Sequence, residues 1–286
     1  MPLICLLVAA PSALAAASGG PPSLAPSFQS SSVRPASAFA AASPVAAWAQ
    51  RAPLPTRRTE VAAALVEGKI YVVGGFGQGG TVGTNEEYDP TTDAWRARAP
   101  LPEPVNHAAA VGIRDRLYVV GGFREGWAAV GTTWSYDLAT DRWERRAPML
   151  TARGALAAAA IDGRLYAVGG MGRANTAALE VYDPATDRWE RRAPMPTPRD
   201  HHAAAEVGGR LYAVGGRRGG DYGRNPNTNE EYDPAADRWR SLPPMPTGRH
   251  GLGAVAAGGQ AYVVSGGPTP GSSFSNANEA LILDAR

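Results

Sequence analysis

A phrase that begins with tryptophan recurs five times along this chain at nearly equal intervals. The tryptophans are 47, 48, 46 and 50 residues apart, and each begins a phrase similar to WERRAPMP; they are Trp48, Trp95, Trp143, Trp189 and Trp239. A period in this range is typical of architectures that repeat one supersecondary unit in an array or a ring. The repeat therefore constrains the fold of these 286 residues more than any other feature.

Each unit has the pattern of four short strands. An alanine-rich run is followed by a two-residue break such as Glu67-Gly68, and then by an apolar segment of the LYVVGG type. Glycine at such a break supplies the positive φ that a two-residue hairpin needs. No segment has a long helical period, so the pattern predicts an all-β repeat. Alanine is a poor strand former, which places the first strand nearest a crowded central axis.

Three features of the unit resemble the Kelch β-propeller family. They are a double glycine after an apolar strand (Gly74-Gly75), a later Tyr-Asp (Tyr88-Asp89) and a tryptophan seven residues after the tyrosine (Trp95). The resemblance covers roughly residues 46–286. It implies a propeller but not an activity, because members of the family range from protein-interaction modules to enzymes.

The strand count predicts five four-stranded blades. The fifth unit has Leu283-Asp284 where Tyr-Asp is expected, and the sequence ends before another tryptophan. We therefore expect the strand at Trp48 to pair with the C-terminal strand and close the ring, which removes free sheet edges. The alternative is a degenerate sixth blade built from residues 20–47. That stretch contains no double glycine and no Tyr-Asp, so five blades are favoured.

The N-terminal part differs in composition from the repeats. Residues 1–17 combine an apolar run with Ala13-Leu14-Ala15, and they are a candidate signal peptide. Residues 18–45 are rich in Ala, Ser and Pro and are expected to form a flexible leader before the propeller at 46–286. This organisation predicts a secreted or periplasmic protein, with a cytoplasmic location as the alternative.

Charge and cysteine content restrict the partners. A net charge of +2 gives no reason to expect nucleic acid or an anionic membrane, and no segment predicts an integral membrane span. Cys5, the only cysteine, lies in the candidate signal peptide, so the propeller would have no disulfide and no cysteine–metal site. We expect a monomer without a cofactor whose partner is a protein or a glycan, including an anionic one.

Two sets of residues recur just before the first strand of the units. One set is basic: Arg58, Arg153, Arg199 and Arg249. The other set stands two residues later and includes Glu60, His107 and His201. If both sets point the same way, four guanidinium groups would surround one mouth of the axial channel and bind a carboxylate or phosphate. The alternative is that each arginine bonds a carbonyl or an acidic residue of the neighbouring blade, with Glu60 or Asp200 as partners.

The loops between the second and third strands differ most between units, as functional loops on a regular scaffold do. Trp127 and Tyr222 in these loops could stack on a sugar ring or an aromatic residue of a partner. They could equally cover the blade beneath them.

The sequence contains no catalytic constellation. His107 and His201 could approach each other across the channel, but no carboxylate or cysteine motif accompanies them, so we predict neither a metal site nor catalytic residues. A module that binds a protein or glycan through its loop-bearing face is favoured over an enzyme. The alternative is an isomerase or mutarotase for an anionic sugar, similar to Kelch proteins that interconvert sialic acid anomers.

Overall fold

The computed structural model describes residues 50–219, 225–257, 259–269, 275 and 277–283. All of them belong to the unit Gln50–Arg286. The closing strand predicted at Trp48, the alternative sixth blade from 20–47, Asp284 and Tyr222 lie outside the described residues. So do the candidate signal peptide at 1–17 and the expected leader at 18–45.

The chain folds into a five-bladed, all-β propeller of antiparallel sheets, as the repeat predicted. Blades one to four have four strands each, and the described part of blade five has three. Blade one consists of β1 (Ala62–Val66), β2 (Lys69–Val73), β5 (Asn85–Asp89) and β6 (Ala94–Arg98); blade two of β7 (Ala109–Ile113), β8 (Arg116–Val120), β11 (Thr133–Asp137) and β12 (Arg142–Arg146); blade three of β13 (Ala157–Ile161), β14 (Arg164–Val168), β15 (Leu179–Asp183) and β16 (Arg188–Arg192); blade four of β17 (Ala203–Val207), β18 (Arg210–Val214), β19 (Asn229–Asp233) and β20 (Arg238–Ser241); blade five of β21 (Gly253–Ala257), β22 (Gln260–Val264) and β23 (Asn278–Leu281).

Short elements decorate the loops after the second strands. In blade one, β3 (Phe76–Gly77) pairs with β4 (Gly80–Thr81). In blade two, β9 (Phe123–Arg124) pairs with β10 (Ala128–Ala129), and a single 3₁₀ turn (Glu125–Trp127) connects them. Among the described residues, no helix is long and apolar enough to cross a membrane.

The first two strands of blades one to four form the predicted two-residue hairpin. In blade one, Val66 pairs with Lys69 across Glu67-Gly68, and both turn residues have positive φ (47° and 76°). Positive φ at both central positions is the geometry of a type I′ turn, whose twist matches that of the strands.

The first strands of neighbouring blades contact one another in the order β1, β7, β13, β17 and β21. They are therefore the innermost strands, which explains why they are rich in alanine. At Gly112 on β7 an added Cβ would lie 2.3 Å from the carbonyl oxygen of Leu65 on β1. Large side chains do not fit between strands that approach this closely.

The tyrosine and the tryptophan of the signatures form one clamp between neighbouring blades, together with the aspartate two residues before the tryptophan. In blade three, the Oδ1 atom of Asp187 accepts hydrogen bonds from the Tyr182 hydroxyl (2.6 Å) and from the backbone N–H of Ala147 (2.9 Å). The Trp189 indole donates to the carbonyl of Ala147 (2.8 Å). Ala147 follows the outer strand of blade two, so the clamp ties the end of one blade to the next. The same bonds recur at Asp93, Asp141 and Asp237.

Blades one and five each have an inner strand with one exposed face. Among the described residues, β1 and β21 share no contact comparable to those between the other neighbouring inner strands. Leu65 on β1 and Val255 on β21 are 64% and 57% exposed. Ala52, which follows Trp48 by four residues, nevertheless occupies the clamp of blade one, where Trp95 donates to its carbonyl (2.8 Å).

Candidate functional site

The four arginines predicted to surround the channel are buried inside the blades instead. Each guanidinium donates to a backbone carbonyl of the second strand in its own blade, as Arg153 does to Ala167 (3.0 Å) and Arg199 to Ala213 (2.8 Å). Each also pairs with a glutamate of the third strand, at 2.5–3.0 Å: Arg58 with Glu86, Arg153 with Glu180, Arg199 with Glu230 and Arg249 with Glu279. The side chains of all four arginines are fully buried.

The predicted anion pocket is therefore not built from these arginines, because their side chains are fully buried and their terminal nitrogens bond groups within the protein. The alternative interpretation, internal hydrogen bonding, describes them correctly, but the partners differ from those expected. The glutamates belong to the arginine's own blade rather than to the neighbouring one, and neither Glu60 nor Asp200 is among them.

Blade two shows how the pair depends on both members. Val105 occupies the arginine position and Trp134 occupies the glutamate position, and both are buried in the same apolar cluster. An isolated buried charge is costly, so the two polar residues are replaced together. The sequence therefore contains evidence for an internal ion pair, because arginine and glutamate are replaced in the same unit. The pair is visible only when both positions are compared across the units.

The backbone separates the arginines from the second set of residues. The expectation that both sets point the same way assumed a continuous strand. Instead, Glu60, His107, Ala155, His201 and Gly251 all have positive φ, between 49° and 61°, and the inner strands begin only afterwards. A left-handed residue reverses the alternation of side chains, so the arginines enter the blades while the second set faces the channel.

These five residues form a collar at the channel mouth. The N–H of His107 donates to the carbonyl of Glu60 (3.0 Å), Ala155 to His107 (2.8 Å), His201 to Ala155 (2.9 Å) and Gly251 to His201 (2.9 Å). The collar thus links five blades through four backbone hydrogen bonds. A cavity of about 370 Å³ opens above it.

Two polar pairs project from the collar. Nε2 of His107 lies 3.3 Å from Oε2 of Glu60, and Nδ1 of His201 lies 2.5 Å from Oδ1 of Asp200. The two imidazole rings are 5.1 Å apart, so His107 and His201 do approach each other as the sequence predicted. Tertiary structure adds Glu60 to this pair.

Burial and charge determine the ionisation of these groups. Burial lowers the pKa of His107 to about 4, opposed by Glu60 and reinforced by His201 and Arg217. The imidazole is therefore neutral at pH 7. Burial by itself would raise the pKa of Asp200, but hydrogen bonds from His201 and Asn175 lower it overall, and the carboxylate stays charged.

Trp127 stands at the edge of the collar as an exposed aromatic platform. It is 63% exposed and has a φ of 62°, which is rare for a bulky residue. Its ring packs against Phe76 (5.7 Å between centroids), His107 (5.4 Å) and Phe123 (5.5 Å). The side chain is thus held on an aromatic base with most of its surface open to solvent.

A polar cleft of about 400 Å³ lies beside the collar, between the loops of blades three and four. His201 belongs to both the collar and the wall of this cleft. Asp200 accepts a hydrogen bond from Asn175 (2.7 Å), and the Nε atom of Arg217 lies 3.5 Å from Asp200. Arg173 and Arg218 also line the cleft, so it carries both acceptors and positive charge.

Several residues that support the site were not predicted from the sequence. Asn106 and Asn175 each bond a site residue, and Phe76 and Phe123 support Trp127. Phe76 and Phe123 follow the double glycine of their units directly, which was a usable signal. Asn175 lies in a loop whose path the repeat does not predict. Tyr222, the second predicted aromatic platform, is outside the described residues.

Comparisons with known proteins support the Kelch-type fold. The family model described as the Attractin/LZTR1 beta-propeller matches residues 40–271. The solved structure of YjhT superposes with a TM-score of 0.76 at 14% sequence identity, over 85% of this chain and 87% of that one. Identity this low supports the fold and not a function. No curated protein matches the sequence.

Proposed function

Since this chain belongs to the Attractin/LZTR1 β-propeller family, we propose that it is a binding protein whose loop-bearing face takes a glycan ligand. The observation that carries the proposal is Trp127, held in a strained conformation on three aromatic rings with 63% of its surface exposed. Strained residues cluster at functional sites, and an exposed tryptophan offers a flat apolar face with a donor at its edge.

The neighbouring cleft supplies the polar groups that such a ligand needs. His107 contacts Trp127, His201 contacts His107, and His201 lines the cleft with Asp200 and Asn175. A sugar ring on Trp127 would therefore lie next to an imidazole group. The carboxylate and amide groups of the cleft would follow on the far side of His201. A binding site of this type combines an apolar surface with a few polar groups that fix orientation.

Removal of the aromatic platform tests the proposal. A glycan array first identifies a ligand, and calorimetry then compares Trp127→Ala with the wild type. We expect binding to weaken about tenfold or more, because aromatic anchors commonly contribute more than about 1.4 kcal/mol. Leu65→Ala, which removes an exposed apolar side chain at the other end of β1, serves as the control and should bind normally. An array without hits, or unchanged affinity in Trp127→Ala, contradicts glycan binding through this face and favours a protein ligand.

An isomerase for an anionic sugar is the second candidate function, and the Glu60–His107 pair favours it. A carboxylate and a neutral imidazole 3.3 Å apart supply two groups that could accept a proton from a sugar at the channel mouth. The sugar carboxylate would have to bind Arg173 or Arg218, since the four buried arginines are engaged. An NMR exchange experiment on sialic acid anomers tests this function. No acceleration by the wild type, or equal acceleration by His107→Ala, excludes it.

A further inference from the structure

Three side chains with metal-binding atoms meet at the collar, one each from blades one, two and four. In Glu60, His107 and His201, one ligand atom per residue lies within 4.8 Å of the other two. We propose that these three residues bind a divalent transition-metal ion, for which Zn²⁺ is the natural probe. Two imidazoles and one carboxylate form a donor set that Zn²⁺ and neighbouring first-row ions accept.

In both imidazoles a hydrogen-bond acceptor beside Nδ1 leaves Nε2 as the nitrogen available to a metal. Nδ1 of His107 lies 2.7 Å from Oδ1 of Asn106, whose amide is oriented because its Nδ2 donates to Oγ1 of Thr81 (2.8 Å). Nδ1 of His201 lies 2.5 Å from a carboxylate oxygen of Asp200. Since both partners are acceptors, the proton of each ring is on Nδ1, and Nε2 carries a lone pair. Histidine ligands of metals are commonly oriented by such a second bond.

The contact between His107 and Glu60 is incomplete without a cation. Nε2 of His107 and Oε2 of Glu60 are 3.3 Å apart, and in this tautomer both atoms are acceptors. Neither can donate to the other. Ligand atoms about 2.0–2.2 Å from a tetrahedral Zn²⁺ are about 3.3–3.5 Å apart, so this pair already has the spacing of two zinc ligands.

The collar holds the donors in place. Glu60, His107 and His201 all have left-handed backbone geometry, and His107 and His201 take part in the chain of inter-blade hydrogen bonds. The carboxylate that orients His201 is itself held by Asn175 (2.7 Å). The side chain of Glu60 is 42% exposed and can adjust by the small distance that coordination requires.

Three protein ligands leave one tetrahedral position open, and Glu60, His107 and His201 all line the cavity at the collar. Sites with three protein ligands and an open position bind a water molecule or an oxygen of a ligand. The metal would thus add an electrophile beside Trp127. The site would bind a metal whether or not a glycan binds next to it.

Calorimetry of the metal-free protein with Zn²⁺, together with the visible spectrum of the Co²⁺ form, tests the site. We expect one ion per chain and the absorption bands of tetrahedral Co²⁺. Glu60→Gln and His201→Ala should each weaken Zn²⁺ binding at least tenfold. Asp200→Asn, which changes the group that orients His201, should weaken binding about 10–100-fold. Circular dichroism confirms that each variant is folded.

Two matched controls separate the site from unspecific binding. Glu190→Gln removes a carboxylate on the outer strand β16. His250→Ala removes the imidazole whose ring lies 6.4 Å from that of His201. Both controls should bind Zn²⁺ as the wild type does. Absence of Zn²⁺ binding by the wild type, or equal affinity in Glu60→Gln, His201→Ala and the controls, overturns the proposal.

Discussion

At the scale of single residues, buried ion pairs explain the arginines that recur before the inner strands. Arg153 and Glu180 are both fully buried and 3.0 Å apart, and Arg153 also bonds the carbonyls of Thr151 and Ala167. Loss of one partner leaves an uncompensated charge in the interior, whereas loss of both restores an apolar site. Val105 and Trp134 in blade two are a natural example of the second case.

Arg153→Val tests this account by introducing the residue that blade two has at the same position. Glu180 would lose its charged partner, so we expect the free energy of unfolding to fall by about 3–5 kcal/mol. The double variant Arg153→Val/Glu180→Val should recover part of that loss. Urea denaturation of the wild type, both single variants and the double variant gives the coupling free energy between Arg153 and Glu180. Nearly unchanged stability in Arg153→Val would contradict a structural role and restore the anion-pocket interpretation.

The double glycines show a second residue-scale constraint. Gly121 has a φ of 65°, and a Cβ there would lie 2.5 Å from the carbonyl oxygen of Arg153 in the next blade. Gly163 has a similar φ of 74° but faces open space. Substitution at Gly163 therefore measures the loss of stability due to the backbone conformation. Substitution at Gly121 adds the loss due to the contact with the Arg153 carbonyl.

Gly121→Ala and Gly163→Ala should therefore differ in stability. We expect Gly163→Ala to cost about 1–2 kcal/mol, because only the left-handed conformation is penalised. Gly121→Ala should cost clearly more, since the carbonyl of Arg153 must also move. Thermal denaturation measures both, and equal losses would show that blade contact does not require this glycine.

At the scale of elements, the Tyr-Asp-Trp clamp joins each outer strand to the blade before it. Burial alone would raise the pKa of Asp187, but the hydrogen bonds from Tyr182 and the N–H of Ala147 lower it overall. The pKa of Asp93, Asp141 and Asp237 is lowered by the same type of bonds. A carboxylate whose pKa is lower in the folded state stabilises the protein above its unfolded pKa, about 3.9. That stabilisation is lost as the pH falls through the folded pKa.

Asp187→Asn removes this titration and keeps an acceptor oxygen. At pH 7 we expect a loss of about 1–2 kcal/mol, because neutral hydrogen bonds replace charge-assisted ones. The difference from the wild type should shrink below about pH 4, where the wild-type carboxylate is itself protonated. Urea denaturation between pH 7 and pH 3 measures the effect, with the exposed turn variant Asp162→Asn as control. If the difference in free energy of unfolding between Asp187→Asn and the wild type does not depend on pH, the ionisation of Asp187 does not contribute to stability.

At the scale of the whole molecule, the extensive strand contacts between blades join neighbouring blades. Among the described residues, the inner strands β7, β13 and β17 each pack against two other inner strands, whereas β1 and β21 each pack against one. Leu65 and Val255 are exposed on the uncovered faces. In a structure with local contacts of this kind, the end units open more readily than the central ones.

Hydrogen exchange should follow this order. We expect amides in β13 to exchange most slowly and those in β1 and β21 to exchange faster, because fewer packed neighbours must separate to expose them. Peptide-resolved mass spectrometry measures the protection. If β1 and β21 are as protected as β13, protection does not follow the number of inner strands packed against each one.

Local chemistry explains which parts of this fold were predictable. The hairpin at Glu67-Gly68, the alanine-rich inner strands and the positions of Tyr182 and Trp189 follow from turn geometry and from a repeat that sequence comparison can align. The arginine positions were also found correctly, and of the two roles considered for them, internal hydrogen bonding describes them whereas the anion pocket does not. The sequence does not show that His107 and its counterparts adopt a left-handed conformation. This backbone conformation is what directs Arg153 into the blade.

The amino-acid sequence by itself determined the blade, the number of units and the residues that recur in each one, because strand periodicity and turn preferences act over a few neighbouring residues. Only tertiary structure decided which recurring residues face the channel. Glu60, His107 and His201 belong to different blades, and the propeller brings them together because its inner strands converge on one axis. Tertiary packing likewise determined the pairing of Arg153 with Glu180, because a buried charge pairs with the opposite charge that the fold places beside it.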